Sequence, residues 1–499
     1  MSVEARDVID TAPERSLDPE DWERFRALGH RAFDDLVEYL KSVRERPVWQ
    51  PLPDGTRRLL VEGPPESGTA AETVYEQVRE HILPYPTGNI HPRFWSWVGG
   101  TGTPLQLVAD MVASAMNAAG LGFDETASTH VELQLLGWLK EMLGYPAEAS
   151  GLLVSGGSMA NLVGLAVART QVAPYDVRQV GIDRDSQPRL MFYASSETHS
   201  SVRKAVELLG LGTESLRLVP VRDDYTIDVQ ALSEAIVRDR RDGLLPACVV
   251  ANVGTVNTGA VDPLHELADI AARESLWLHA DAAFGAFARL SSSCRGLVDG
   301  LELADSLAFD LHKWLYVQYD CGCVLVRHPD SHRDTFSVIP SYLKKLERGL
   351  AAGPLNFSEY GVQLSRSFKA LRAWMALKTE GIGRYRQQIE QNVTQARYLE
   401  RRVAERPELE LLAPVSLNIV NFRYRGTLAS DEALNELNAE LLMRLQEQGI
   451  AAPSSTVLRG RFAIRVAICN HRSRREDFDL LVGSCVAIGD RISEQLARG

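Results

Sequence analysis

The chain has 499 residues, 45% of them hydrophobic and 24% charged, with a formal net charge of -12. That length and apolar content support a large core and more than one domain. The acidic balance excludes a protein held to nucleic acid by bulk electrostatics, and no apolar run is long enough to span a bilayer. The six cysteines, Cys248, Cys294, Cys321, Cys323, Cys469 and Cys485, form no Cys-x-x-Cys pair. They are expected to be buried, reduced thiols, with no metal site. Met1 to Asp10 carries Glu4, Arg6 and Asp7 and so lacks the apolar core of a signal peptide. The expected location is cytoplasmic.

Taken in chain order, the spacing of Trp22, Phe25, Leu28, Ala32, Leu36 and Leu40 predicts a helix from Pro19 to about Arg44, capped by Asp18. Its single apolar stripe needs a covering surface. Pro47 to Pro65 reads as an extended linker, and a second helix follows over about 70–82. From about 90 to 340, short apolar runs alternate with helical patterns. Strands are predicted at 151–154, 190–194, 216–220, 247–252, 276–280, 306–309 and 322–327. Helices are predicted at 159–169, 201–209, 229–240 and 263–274. This alternation predicts an α/β fold, a mostly parallel sheet with helices on both faces. Further helices are expected at 364–377 and 382–404. Strands at 416–424 and 461–468, flanking a helix at 431–448, make a small carboxyl-terminal α/β unit. The expected division is an N-terminal helical segment, 1–89, a large domain, 90–380, and a small domain, 381–499.

In such sheets ligands bind beyond the carboxyl ends of the strands. Three of those ends carry unusual residues. Lys313 lies in Asp310-Leu311-His312-Lys313-Trp314, between two apolar runs. A lysine there is badly placed for a surface charge. Asp281 lies in His279-Ala280-Asp281-Ala282-Ala283, which closes the apolar run Leu276-Trp277-Leu278, and His199 follows the strand at 190–194. An acid at one strand end and a lysine at the next point to pyridoxal 5'-phosphate, which a lysine carries as a Schiff base while an acid pairs with its ring nitrogen. The turn Ser155-Gly156-Gly157-Ser158 before a helix suits a phosphate, since helix starts offer unpaired amides.

These residues carry a resemblance. The chain resembles the group II pyridoxal-phosphate-dependent amino-acid decarboxylases, close in pattern to the aromatic-L-amino-acid decarboxylases, from about His91 to Arg472. It rests on His91-Pro92-Arg93-Phe94, Gly122-Phe123, the Ser155–Ser158 turn, Thr198-His199-Ser200-Ser201, the Asp281 and Lys313 motifs, and Pro340-Ser341-Tyr342-Leu343. The resemblance implies the aspartate-aminotransferase-like fold (fold type I) and a homodimer with shared sites. It implies that Lys313 anchors pyridoxal phosphate and that Asp281 keeps its ring nitrogen protonated. Ala283 and His199 would pack on the two ring faces. Gly157, Ser158, His312 and Asp310 would serve the phosphate. Tyr342 would protonate the substrate carbon after carbon dioxide leaves, with His199 sharing that transfer. Trp95, Trp97 and Phe123 match substrate-pocket positions and favour an aromatic or bulky side chain. Asp124 and Glu125 place acids nearby.

Two positions depart from the family pattern. Val256 stands where a hydroxyl is often found, and Asp310 where many relatives carry asparagine. An acid beside a phosphate is unfavourable unless it orients donors such as Ser158 or His312. The expected reaction is decarboxylation of an L-amino acid to an amine. The alternatives are an aminotransferase, with Arg465 gripping the substrate carboxylate, an oxidative-deaminating aldehyde synthase, and a non-enzymatic binding protein.

Overall fold

The apolar runs become strands because each is short, rich in β-branched or aromatic residues, and stopped by a polar or glycine turn. A computed structural model describes residues 16–498 except 121, 184, 339–346, 351 and 427–429. Two compact units are present, residues 16–46 with 51–86, and residues 47–50 with 87–498.

In the first unit the long helix is Trp22–Lys41. It starts later than the sequence pattern suggests, because the Asp21 side chain, not that of Asp18, accepts the Arg24 N–H at 2.9 Å and caps it. None of its residues is buried, and Trp22 and Phe25 are more than half exposed. The stretch expected as an extended linker contains the short helix Asp54–Leu59. The second helix, Ala71–His81, is tied to the first by Arg24–Glu72 at 2.5 Å and by the Tyr75 hydroxyl donating to Asp35 at 3.0 Å.

The second unit holds two sheets. Strand β1 (Phe94–Trp95) belongs to the smaller one. The larger contains β2 (Ser150–Val154), β3 (Leu190–Ser195), β4 (Leu216–Val219), β5 (Leu245–Asn252), β6 (Trp277–Asp281), β7 (Ser306–Asp310) and β8 (Gly322–Val326). Their spatial order is β2-β8-β7-β6-β5-β3-β4. The β3–β4, β3–β5, β5–β6 and β6–β7 pairings are parallel, and β8 runs against both of its neighbours. In β5, Cys248, Val249, Val250 and Ala251 are all fully buried, as a strand covered on both faces must be. Each of the two valines contributes roughly 1.5–3 kcal/mol on burial. All six cysteines are free and buried.

The smaller sheet adds β9 (Leu409–Leu411), β10 (Ile419–Tyr424), β11 (Ala452–Leu458) and β12 (Arg461–Ala467), in the order β1-β11-β12-β10-β9. It takes in β1 from far upstream, Phe94 pairing with Ala452 and Trp95 with Pro453. Trp95 is buried and stacks on Phe478 with centroids 4.9 Å apart. The two helices expected at 364–377 and 382–404 form one element, Ala370–Ala404, interrupted at Gly381, where φ is 72°. It starts at Ala370 because Arg366 is held elsewhere. Its backbone N–H bonds the Ala119 carbonyl at 3.0 Å, and its guanidinium pairs with buried Glu132 at 2.8 Å.

Candidate active site

Four parallel strands, β3, β5, β6 and β7, end on the same side of the large sheet, and the chemistry-bearing residues follow those ends. A cavity of about 340 Å³ lies there. It is lined by Gly157, Ser158, His199, Asp281, Ala283, Asp310, His312 and Lys313, residues drawn from four separate stretches of sequence. Asn252, Thr255 and Val256 line it as well, with apolar wall from Val98, Met159 and Phe284.

The glycine turn after β2 opens the helix Gly157–Val172. A Cβ on Gly157 would lie 2.9 Å from both Ala283 Cβ and Asp310 Oδ2. Only glycine lets this helix start approach the lysine loop so closely. The Met159 and Ala160 N–H groups bond back to the Gly156 carbonyl, and the Gly157 and Ser158 amides at the helix start are placed where an anion could be held. Across β8, a Cβ on Gly322 would meet Gly156 Cα at 2.5 Å and Asp310 Oδ1 at 2.8 Å.

Asp281 is the last residue of β6 and is buried. It accepts Asn161 Nδ2–H at 2.8 Å and the Ala283 N–H at 3.2 Å. Lys313 Nζ lies 2.8 Å from Asp310 Oδ2. Burial opposes charge on Lys313, but the Asp310 carboxylate beside it and Asp281 further off outweigh that, and its pKa is raised. Asp310 Oδ1 is buried with no hydrogen-bond partner among the described residues. Asp310 thus engages the lysine, where Ser158 or His312 was expected. His312 Nδ1 already accepts the Cys321 N–H at 3.1 Å, and His312 Nε2 stays 3.7 Å from the carboxylate. Burial lowers the His312 pKa, against the pull of Asp310.

His199 caps the helix Ser200–Leu208 and is exposed at the cavity wall. Desolvation lowers its pKa, with Asp281 opposing the shift and Lys313 adding to it. The ring is therefore neutral near pH 7. Val256 lines the cavity without a hydroxyl, and the neighbouring Thr255 hydroxyl is spent on Thr258 at 2.9 Å. Trp97 and Phe123 are not among the cavity-lining residues. Trp97 is 62% exposed, with φ of 52°, and Phe123 is partly buried. Tyr342 lies outside the described residues. Arg465 is buried, donates to the Trp97 carbonyl at 2.6 Å and the Asn257 carbonyl at 3.3 Å, and does not line the cavity. Asn161, Ser201 and Asn252 carry no role in the sequence analysis, although Ser201 lies in the His199 motif. The signal for Asn161 was its place five residues after Gly156, at the start of the second helical turn.

A family model, the pyridoxal-dependent decarboxylase conserved domain, matches residues 53–425. The chain belongs to this family. The pyridoxal-dependent decarboxylase is similar to an aromatic-L-amino-acid decarboxylase of Bacillus atrophaeus, 36% identical over 479 residues, covering 94% of this chain and 96% of that one. It is also similar to a phenylacetaldehyde synthase of Petunia hybrida, 29% identical over 463 residues and 91% of each chain. Among solved structures, that of Oryza sativa TDC with PLP and tryptamine superposes with a TM-score of 0.88 at 29% identity, covering 96% of this chain and 100% of that one. The decarboxylase is a carboxy-lyase of amino-acid metabolism with pyridoxal phosphate as its cofactor, on the fold-type-I scaffold. The cavity fits that cofactor. The glycine turn would hold the phosphate, Asp281 keeps acceptor capacity for a ring nitrogen, and Lys313 offers an amine. Among the described residues, no helix is long and apolar enough to cross a membrane.

Proposed function

We propose that the decarboxylase acts on an L-amino acid with an aromatic or bulky side chain, releasing the amine and carbon dioxide. The observation that carries this reading is the meeting of Lys313, Asp281 and His199 at one cavity whose apolar wall is Val98, Met159 and Phe284. The similarity to the Bacillus atrophaeus aromatic-L-amino-acid decarboxylase supports the choice of side chain. Bound pyridoxal phosphate supplies an aldehyde for amines and a protonated ring that draws electrons from the bond being broken.

The chain's residues divide the remaining work. Lys313 Nζ is the amine that would hold the cofactor. Asp310, in contact with that amine, holds its proton before anchoring. Asp281 keeps the ring nitrogen protonated. Ala283 and His199, both lining the cavity, would confine the cofactor ring and orient the substrate. Gly157 and Ser158 take the phosphate, with His312 beside them. Tyr342 delivers the proton to the substrate carbon and shuts out water. Trp97 and Phe123 complete the substrate side once the site closes.

We further read the enzyme as a cytoplasmic homodimer. Residues 1–89 form its dimerisation segment, 90–380 the cofactor domain and 381–499 the small domain. The exposed Trp22 and Phe25 on an unburied helix support a partner surface. Arg465 does not line the cavity, which weighs against the aminotransferase reading, where it would meet a substrate carboxylate. The similarity to Petunia hybrida phenylacetaldehyde synthase keeps oxidative deamination as the second reading.

The test is a panel of L-amino acids, aromatic and aliphatic, with carbon dioxide, amine, aldehyde and keto acid measured together. Amine and carbon dioxide in equal amounts from aromatic substrates is the expected result. Keto acid without carbon dioxide overturns the reading. Aldehyde with ammonia and peroxide moves it to the synthase. Tyr342→Phe should divert product from amine to aldehyde.

A further inference from the structure

Asp281 and His199 are joined by a single buried asparagine. Asn161 Nδ2 donates to Asp281 Oδ2 at 2.8 Å and to Ser201 Oγ at 2.9 Å. Both amide hydrogens are then used. A reversed amide would set two bare oxygens against each other at the Asp281 contact. Asn161 Oδ1 therefore faces His279 Nε2, 2.9 Å away, and that nitrogen carries a hydrogen.

His279 is fully buried, and burial pushes its pKa down to about 3, so the ring is neutral. With hydrogen on Nε2, its Nδ1 accepts from Ser306 Oγ at 2.7 Å. Ser306 Oγ in turn accepts the Trp277 indole N–H at 2.8 Å. Gly164 backs the ring; a Cβ there would lie 2.6 Å from His279 Cε1. On the other arm, Ser201 Oγ accepts from Asn161 and gives its own hydrogen to His199 Nδ1 at 2.7 Å. The Ser201 backbone N–H reaches the same nitrogen at 3.2 Å. His199 Nδ1 is thus an acceptor, and the ring hydrogen sits on Nε2. Each hydrogen from Trp277 to His199 has one allowed direction.

We propose that Asn161, oriented by His279, is a positioning residue that sets two groups at once. It holds the Asp281 carboxylate for the cofactor's ring nitrogen, and through Ser201 it fixes His199 as the Nε2–H tautomer. This rests on the reading that Asp281 and His199 act on pyridoxal phosphate. His199 then works as a hydrogen-bond donor from Nε2, not as a proton acceptor there.

The test uses Asn161→Leu, His279→Phe and His279→Gln in the full-length holoenzyme, reconstituted with pyridoxal phosphate labelled with 15N in the ring. The ring nitrogen shift reports its protonation without turnover. Asn161→Leu and His279→Phe should move that shift toward the unprotonated value. Both should lower kcat by roughly tenfold to hundredfold, the weight of a hydrogen bond to a charged group, with KM little changed. His279→Gln keeps a donor for Asn161 Oδ1 and should restore the parent shift and rate. Parent-like shifts and rates in Asn161→Leu and His279→Phe overturn the proposal. So does a His279→Gln variant as impaired as His279→Phe, since the ring would then act by packing alone. If Asn161→Leu does not take up cofactor, the two His279 variants decide. A parent enzyme that releases no carbon dioxide sinks the decarboxylase reading, while the 15N shifts still decide the network.

Discussion

Gly157→Ala probes the phosphate cradle directly. The added methyl would lie 2.9 Å from Ala283 Cβ and 2.9 Å from Asp310 Oδ2. Carbon atoms prefer separations of about 3.5–4.0 Å, so the methyl is too close by more than half an ångström on two sides. Neither neighbour is the end of a flexible chain. Ala283 has no rotamer to change, and Asp310 is buried and paired with Lys313. Overpacking of this kind costs about 1–3 kcal/mol. If the helix start relieves it by withdrawing from the lysine loop, the cost falls on cofactor binding, and Kd for pyridoxal phosphate rises roughly 5- to 150-fold. Titrating the apoenzyme with pyridoxal phosphate and following absorbance measures this, with thermal unfolding run in parallel. Gly156→Ala is the graded control. Its methyl meets His312 Cε1 at 3.2 Å and nothing closer, so a smaller loss is expected. Gly137→Ala meets nothing within 4 Å and should leave Kd unchanged. A Gly157→Ala enzyme that folds and binds within about twofold of the parent refutes the reasoning.

Two predictions concern stability. His332 is fully buried, bonded through Nδ1 to Ser150 Oγ at 2.9 Å, and burial lowers its pKa from 6.5 to about 4. Its folded pKa lies below the unfolded one, so its contribution is whole above pH 6.5 and is lost as pH falls toward 4. The span is about 3 kcal/mol. His332→Gln should flatten the fall of the urea midpoint across that window, and an unchanged slope would count against it. Arg366→Met leaves Glu132, which also accepts the Leu153 N–H, buried without its cation. A loss of about 3–5 kcal/mol in urea unfolding is expected, partly recovered by adding Glu132→Gln. A loss below about 1 kcal/mol would show the pair to be dispensable.

The site was legible where chemistry broke the strand pattern. Asp281 and Lys313 stand out because an acid and a lysine close apolar runs, and strand ends are where such a sheet keeps its ligands. The partners behind them were legible only in part. His279 and Asp281 lie two apart on β6, so alternation puts their side chains on one face. Nothing local says that Asn161 meets both, because that contact closes across 120 positions. The same limit hid β1. Phe94 and Trp95 are too short a run to read as a strand, and only pairing with Ala452 and Pro453 makes them one. The helix start at 364 failed for a tertiary reason, since Arg366 is drawn to Glu132. Asp310 stood out in the sequence as a departure, but its contact with Lys313 did not, and His312 Nδ1 is taken by the Cys321 N–H.

The order β2-β8-β7 has a consequence for how the protein is made. Strand β8 lies between β2 and β7, and its Gly322 packs against both the glycine turn, at Gly156, and Asp310. More than half of the large sheet's strands are synthesised between that turn and Asp310. Bringing such distant stretches together costs chain entropy before any contact repays it. A chain that has not yet reached Lys313 therefore lacks part of the cavity lining. Vitamin supply then acts on the finished fold alone, adding about 2.7 kcal/mol of stability when free cofactor stands at a hundred times its Kd. Cells short of the cofactor should hold less of this enzyme, through faster turnover of the empty chain rather than through lower synthesis.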